Sequence, residues 1–232
     1  SVSCNICYNC IVPRDIVIYV HIPFCRSKCN YCSFVSYECR EAEIPAYLSA
    51  LKKELTLRTR GEHVSSIYFG GGTPSLLSVE QVGDILTTIN SLFAVDKEAE
   101  VTIEANPGTI SMIYLTDIRA LGVNRLSLGM QSLNDGELAL LGRIHTGAEA
   151  RDAVRFARNA GFANLSLDLI YGLPGQTLLD WQNTLNEVIV FSPDHLSLYA
   201  LSLEADTPMW RTIKGNHLPD IDTDLVADQY EL

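Results

Sequence analysis

Six short apolar runs punctuate the chain: IVIYV (16–20), SSIYF (65–69), VTIEA (101–105), RLSLG (125–129), NLSLDLI (164–170) and HLSLYAL (195–201). Their β-branched and aromatic content, with the period of two in runs such as RLSLG, predicts strands. Between them lie longer stretches, 43–60, 78–93, 147–160 and 177–190, where apolar residues recur at helical spacing. Ser78 with Gln81 reads as a capping box, and Gly161 stands where a helix would close. Strands that alternate with helices call for a parallel sheet. The pattern therefore predicts an α/β fold, a partial (β/α)6 barrel. A doubly wound sheet satisfies the same periodicity and stays open as the alternative.

Polar residues break the pattern where several strands end. Glu104 closes VTIE, Gln131 follows RLSLGM, and Asp168 comes late in NLSLDLI. GGGTP (70–74) follows SSIYF, and a cysteine-bearing loop follows IVIYV. Functional groups of parallel α/β barrels gather at the C-terminal ends of the strands, so these positions would share one rim. Successive glycines also allow close backbone approach and positive φ, so that their amides can surround a charged group.

Charge and composition narrow the picture. Lys and Arg number 17 against 28 Asp and Glu, a net charge of −11, and no basic cluster stands out. A nucleic-acid partner is excluded on electrostatic grounds. No apolar run approaches the roughly 20 residues needed to span a bilayer. The N-terminus shows no charged region followed by an apolar one, as a signal peptide would. A soluble, cytoplasmic protein is expected.

Six of the 7 cysteines fall before residue 33. A disulfide scaffold would spread them along a smaller chain, so clustering at one end points to metal or cluster ligation. Cys25, Cys29 and Cys32 form Cys-x3-Cys-x2-Cys. Structural zinc usually takes four protein ligands, and His21 would have to turn back from a strand end to be the fourth. A 4Fe–4S cluster ordinarily takes four thiolates; with three, one iron stays open to a small molecule.

This spacing, with Tyr31 just before the last cysteine, resembles the radical S-adenosylmethionine (SAM) superfamily. There the methionine moiety of SAM fills the open iron position, and reductive cleavage of the sulfonium yields a 5'-deoxyadenosyl radical. From about residue 16 onward, YVHIPFCRSKCNYCSF, FGGGTPSLL, EANPGT, RLSLGMQS, LGRIHT, DLIYGLPGQT and PDHLSLYALSLEADTP are similar to the anaerobic coproporphyrinogen III oxidase family. They are most similar to its heme chaperone branch. The resemblance implies a 4Fe–4S cluster on Cys25, Cys29 and Cys32. It also implies SAM contacts from Tyr19, Tyr31, Gly71, Gly72, Thr73, Glu104, Gln131, Arg143 and Asp168. As partners it implies heme or a porphyrin, a heme-acceptor protein, and an electron donor such as flavodoxin or ferredoxin. His145 and His195 are expected to be structural.

Two departures bear on the reading. True oxidases of this kind carry another cysteine two positions after the third, where this chain has Phe34; that favours the chaperone over the oxidase. The chaperone branch carries a His-Asn-x-x-Tyr-Trp segment linked to heme, and this chain ends at DQYEL before one. The expected layout is thus a cysteine-rich extension (1–15), a barrel (16–220) and the start of a truncated C-terminal region (221–232). Cys4, Cys7 and Cys10, with Cys39 as a fourth thiolate, form a second candidate set for an auxiliary cluster or zinc. The alternative is that 1–15 is an adventitious leader.

Overall fold

A computed structural model describes residues 15–232. In chain order its elements are β1 (Asp15–Ile22), β2 (Phe24–Cys25), β3 (Tyr37–Glu38), α1 (Ile44–Arg58), β4 (His63–Gly71), α2 (Val79–Leu92), β5 (Ala94–Ala105), α3 (Met112–Ala120), β6 (Arg125–Gln131), α4 (Asp135–Leu141), α5 (Gly147–Asn159), β7 (Asn164–Tyr171), α6 (Leu178–Val190), β8 (His195–Ala200), α7 (Pro208–Lys214) and α8 (Thr223–Tyr230). Six strands form one sheet in the order β1-β4-β5-β6-β7-β8, every neighbouring pair parallel. A doubly wound sheet would reverse its order at a switch point. Here the order never reverses, and right-handed crossovers then put each connecting helix on the same side. The sheet curls into a half-barrel, with α1 packed on α2, α2 on α3 and α3 on α5 around it.

Alternation within the strands decides which side chains face which way. In β6, Leu126, Leu128 and Met130 are fully buried in the main core. Arg125, Ser127, Gly129 and Gln131 occupy the opposite, inner face. β7 repeats this: Leu165, Leu167 and Leu169 go to the core, and Ser166 and Asp168 to the inner face. The sheet therefore has one apolar face under the helices and one polar face lining the half-barrel.

Ser78 and Gln81 do form the predicted capping box. Gly161 follows the end of α5 at φ +87, the left-handed conformation that suits glycine there. β5 starts at Ala94, well before VTIEA. Its first half carries Asp96, Lys97, Glu98 and Glu100 and packs little, so it has no apolar signal. The short helices α3, α4, α7 and α8, of 9, 7, 7 and 8 residues, are too brief for helical spacing to repeat.

The last helix, α8, docks on the barrel. Val226 packs on the main core. Trp181 Nε1–H donates to the Gln229 carbonyl at 2.9 Å, and Gly172 N–H donates to Gln229 Oε1 at 2.9 Å. A smaller apolar cluster, including Leu141, Ile170, Leu173 and Met209, closes the rim, and Tyr31 packs against it. Among the described residues no helix is long and apolar enough to cross a membrane.

Candidate functional site

The strand ends deliver one rim. Beyond β1, the short parallel pair β2–β3 closes the cysteine loop at its base, where Tyr37 N–H donates to Pro23 O at 2.7 Å and Cys39 N–H to Cys25 O at 3.1 Å. Within the loop, Cys32 N–H donates to Cys29 O at 3.2 Å. Lys28 reaches over it, its Nζ donating to Phe34 O at 3.0 Å. Cys25 is buried, and Cys29 and Cys32 are half-buried. Burial raises the Cys32 thiol above its ordinary pKa, with Cys29 and Cys25 nearby adding to the rise. A metal that took Cys32 would thus have to displace a proton.

The glycines of GGGTP are needed for closeness. A Cβ on Gly70 would lie 2.8 Å from the Tyr19 ring, and one on Gly71 (φ +118) 2.7 Å from the His21 ring. On Gly72 it would lie 2.7 Å from Phe24 O and 2.9 Å from Cys25 Sγ. Their amides, however, are committed. Gly71 N–H donates to Glu104 Oε2 at 3.2 Å, Gly72 N–H to Ile22 O at 2.9 Å, and Thr73 N–H to Phe24 O at 2.8 Å. Only the first of these amides meets a charged group, the Glu104 carboxylate on β5. The other two stitch the end of β4 to β1 and to the cysteine loop, so the expectation that the loop's amides together encircle one charged group does not hold. Gly72→Ala should therefore destabilise the protein by about 1–3 kcal/mol through overpacking, read as a lower urea midpoint. An unchanged midpoint would show that the loop yields.

Two carboxylates face the same space. Glu104 accepts Tyr68 O–H at 2.8 Å as well as Gly71 N–H. Asp168, opposite Gly129 on β6 and Ser197 on β8, accepts Ser127 O–H at 3.1 Å. Burial pushes both pKa values up, and the bonds from Tyr68, or from Ser197 and Ser127, only partly counter it. Each carboxylate would gain from a cationic or hydroxyl-bearing ligand.

Arg143 is no surface cation. It follows Gly142, which closes α4 at φ +71, and it reaches inward. Nη1 donates to Cys29 Sγ at 3.2 Å and Nη2 to Gly129 O at 2.7 Å, while its buried Nε has no partner. Burial opposes its charge, but Cys29 and Tyr31 beside it more than offset this and hold its pKa above the ordinary value. Gln131 ends β6 at φ +65, uncommon for a side-chain-bearing residue. Its Nε2 lies where a Cβ on Gly129 would come within 2.9 Å, so Gly129 is the residue that fits there. His145 packs between Asn106 Oδ1 (3.0 Å) and Met130 O (3.1 Å). Burial first, and the Arg143 charge second, push its pKa down to about 4. Both ring nitrogens face partners inside the fold, and the ring is nearly fully buried, which gives His145 a packing role. His195 sits exposed at the start of β8.

Cys25, Cys29, Tyr31, Cys32, Gly71, Gly72, Thr73, Glu104, Gln131, Arg143 and Asp168 all line one cavity of about 430 Å³. Phe34, 70% exposed, stands at its mouth. Tyr19 is apart from that lining: it lies on the inner face of β1, its ring stacked on Tyr68 at 5.9 Å. Its O–H donates to His21 Nδ1 at 3.3 Å, while His21 Nε2–H donates to Val35 O at 3.0 Å. Both His21 nitrogens are engaged, which removes it as a fourth metal ligand. Cys39 is exposed, its Sγ on Arg26 O at 3.4 Å and outside the cavity; Cys4, Cys7 and Cys10 lie outside the described residues. Tyr68 and Ser127 escaped the sequence reading, although the same alternation that marks Glu104 and Asp168 places them on the inner face.

Among the described residues, no group of three His, Cys, Asp or Glu side chains is arranged to hold a metal ion. Three thiols around an open cavity, a guanidinium on one sulfur with an unused buried N–H, and a glycine against another sulfur suit a larger anionic group. A 4Fe–4S cluster on three thiolates fits that donor set.

Comparison with known proteins gives the family. The sequence profile of the radical SAM superfamily matches residues 19–188. The mouse protein named "Radical S-adenosyl methionine domain-containing protein 1, mitochondrial" is 40% identical over 92% of this chain and 49% of its own length. "Heme chaperone HemW" of Bacillus subtilis is 37% identical over 92% of this chain and 58% of its own. Among solved structures, coproporphyrinogen III oxidase (HemN) from Escherichia coli superimposes with a TM-score of 0.83 at 33% identity, covering 93% of this chain and 52% of that one. The chain spans about half the length of the curated relatives it matches.

Proposed function

The chain belongs to the radical SAM superfamily, and from that premise we propose that it is a heme chaperone of the HemW type. It binds a 4Fe–4S cluster through Cys25, Cys29 and Cys32, binds SAM beside it, and passes heme to an acceptor protein. The observation that carries this reading is the single cavity in which the three cysteines meet Glu104, Asp168 and Arg143. Cluster and SAM, when bound, supply one-electron cleavage of a sulfonium and the carbon radical that follows. The protein's own groups do the rest. Glu104 and Asp168 offer buried negative charge to the ammonium and hydroxyl groups of SAM. Thr73 and Gln131 orient it, and the Arg143 guanidinium, which lines the same cavity, supplies positive charge for its carboxylate. Tyr31, Ile170 and Phe34 keep water out. An electron donor such as flavodoxin or ferredoxin reduces the cluster, which calls for a reducing compartment; for the bacterial type this is the cytoplasm.

The second reading is an oxygen-independent coproporphyrinogen III oxidase that decarboxylates porphyrinogen propionates. The likeness to HemN supports it, whereas Phe34 in the place of the oxidase's additional cysteine favours the chaperone.

Anaerobic reconstitution with iron and sulfide should give about four irons per chain and an EPR signal of the reduced protein that shifts on adding SAM. Hemin should then pass to an apo-acceptor, and coproporphyrinogen should release no carbon dioxide. Zinc in place of iron would sink the reading. Carbon dioxide release would move it to the oxidase.

A further inference from the structure

Between Cys29 and Cys32 stands a residue to which the cysteine spacing gives no role, Asn30. The last carbonyls of a helix lack intrahelical donors, and its first amides lack acceptors. Asn30 meets both needs at once. Its backbone N–H donates to Leu141 O at 2.9 Å and its Nδ2 to Leu140 O at 2.9 Å, closing the C-terminal end of α4. Its own carbonyl accepts from Met209 N–H at 2.9 Å, an amide in the first turn of α7. Gly142 makes room for the Asn30 amide: a Cβ there would lie 2.9 Å from Asn30 Cγ. The next residue, Arg143, holds Cys29 Sγ. One corner of the fold thus grips both the backbone between the cysteines and one of their sulfurs. Tyr31 packs against the small apolar cluster to which Leu141 and Met209 of the same two helices belong.

We infer that Asn30 is a positioning residue for the cluster: by tying the loop to the ends of α4 and α7, it sets where Cys29 and Cys32 stand relative to Arg143. This rests on reading Cys25, Cys29 and Cys32 as cluster ligands. Any displacement of Asn30 passes to Cys29 through one peptide bond and to Cys32 through two, each holding consecutive Cα atoms about 3.8 Å apart. A group that orients a metal ligand from behind typically contributes about 10- to 100-fold in metal affinity. Loss of the Nδ2 donor should cost an amount of that order, because Leu140 O is left without its partner.

The test compares wild type, Asn30→Ala and Asn30→Asp after anaerobic reconstitution. Asn30→Asp keeps the shape and the backbone bonds but turns the donor into an acceptor. Ser78→Ala, which removes the cap of α2 at a residue outside the cavity lining, controls for lost stability alone. Asn30→Ala should lose iron to a chelator about 10- to 100-fold more readily, and its EPR response to SAM should shrink. Asn30→Asp should change in the same direction, and Ser78→Ala should behave as wild type. Wild-type chelator resistance and EPR in both Asn30 variants would overturn the inference, as would an equal iron loss in Ser78→Ala. A wild-type protein that takes up no iron would instead remove the cluster reading, and the inference with it.

Discussion

Cys29→Ala will leave a folded protein that holds almost no iron. Cys29 is half-buried, and its sulfur accepts a hydrogen bond from a side chain of another element, the 3.2 Å bond from Arg143. Removing it from the apo protein leaves the buried Arg143 Nη1 without that acceptor, about 1–3 kcal/mol, so the thermal midpoint should fall by several degrees while the protein stays folded. The bound group loses one of its three thiolates, so iron should drop from about four per chain to well under one, with loss of the visible absorbance. Cys39→Ala is the matched control. Its sulfur sits on the Arg26 carbonyl outside the cavity, and iron content should stay at the wild-type value. Iron retained by Cys29→Ala would show that the loop cysteines are not the ligands. Iron lost from Cys39→Ala would bring the second cysteine set into play.

Glu104→Gln should stabilise the apo protein and weaken SAM binding. Burial raises the Glu104 pKa above its ordinary value, so the folded state binds the proton more tightly than the unfolded chain does. Its contribution to stability is full below the ordinary carboxylate pKa of about 4.3. It is lost as pH rises through the raised, folded value. At neutral pH the ionised carboxylate is thus a burden that an uncharged amide removes. The substitution keeps the local bonds, since the amide oxygen can still accept Gly71 N–H and the amide nitrogen can donate to Tyr68 Oη. The variant should melt higher than wild type at pH 7, and its melting temperature should depend less on pH above about pH 4.3. With the charge gone, SAM affinity should fall roughly 10- to 100-fold, the worth of a charge-assisted hydrogen bond, measured by calorimetry on the reconstituted protein. A variant no more stable than wild type, yet with unchanged affinity, would remove Glu104 from the site.

Both predictions concern residues that were legible in the chain, one by its spacing and one by its place at a strand end. Asp168 and Gln131 were found by the same argument, and the two carboxylates acquire partners that periodicity also places. Ser127 lies between Glu104 and Asp168 because parallel register pairs it with Glu104 and alternation turns it to the inner face. Other features lay beyond any local pattern. That Arg143 reaches inward depends on α4, seven residues long and ended by the left-handed Gly142. The role of Asn30 depends on two helix ends contributed by residues 110 and more positions away. The glycine amides were misjudged because the bonds that occupy them run to β1, to the cysteine loop and to β5, not to neighbours in sequence.

The sequence by itself determined the alternation of strand and helix, the cysteine triplet and the polar strand ends. These follow from side-chain periodicity and from ligand chemistry, which act over a few residues at a time. Only the tertiary structure decided that the strand order never reverses, so that five strand ends share one rim. It alone decided that the glycines stitch rather than cradle, and that Arg143 and Asn30 converge on one arc of cysteines. Those outcomes rest on hydrogen bonds and close contacts between segments far apart in the chain. Their partners are chosen when the sheet curls and the helix ends must find donors and acceptors.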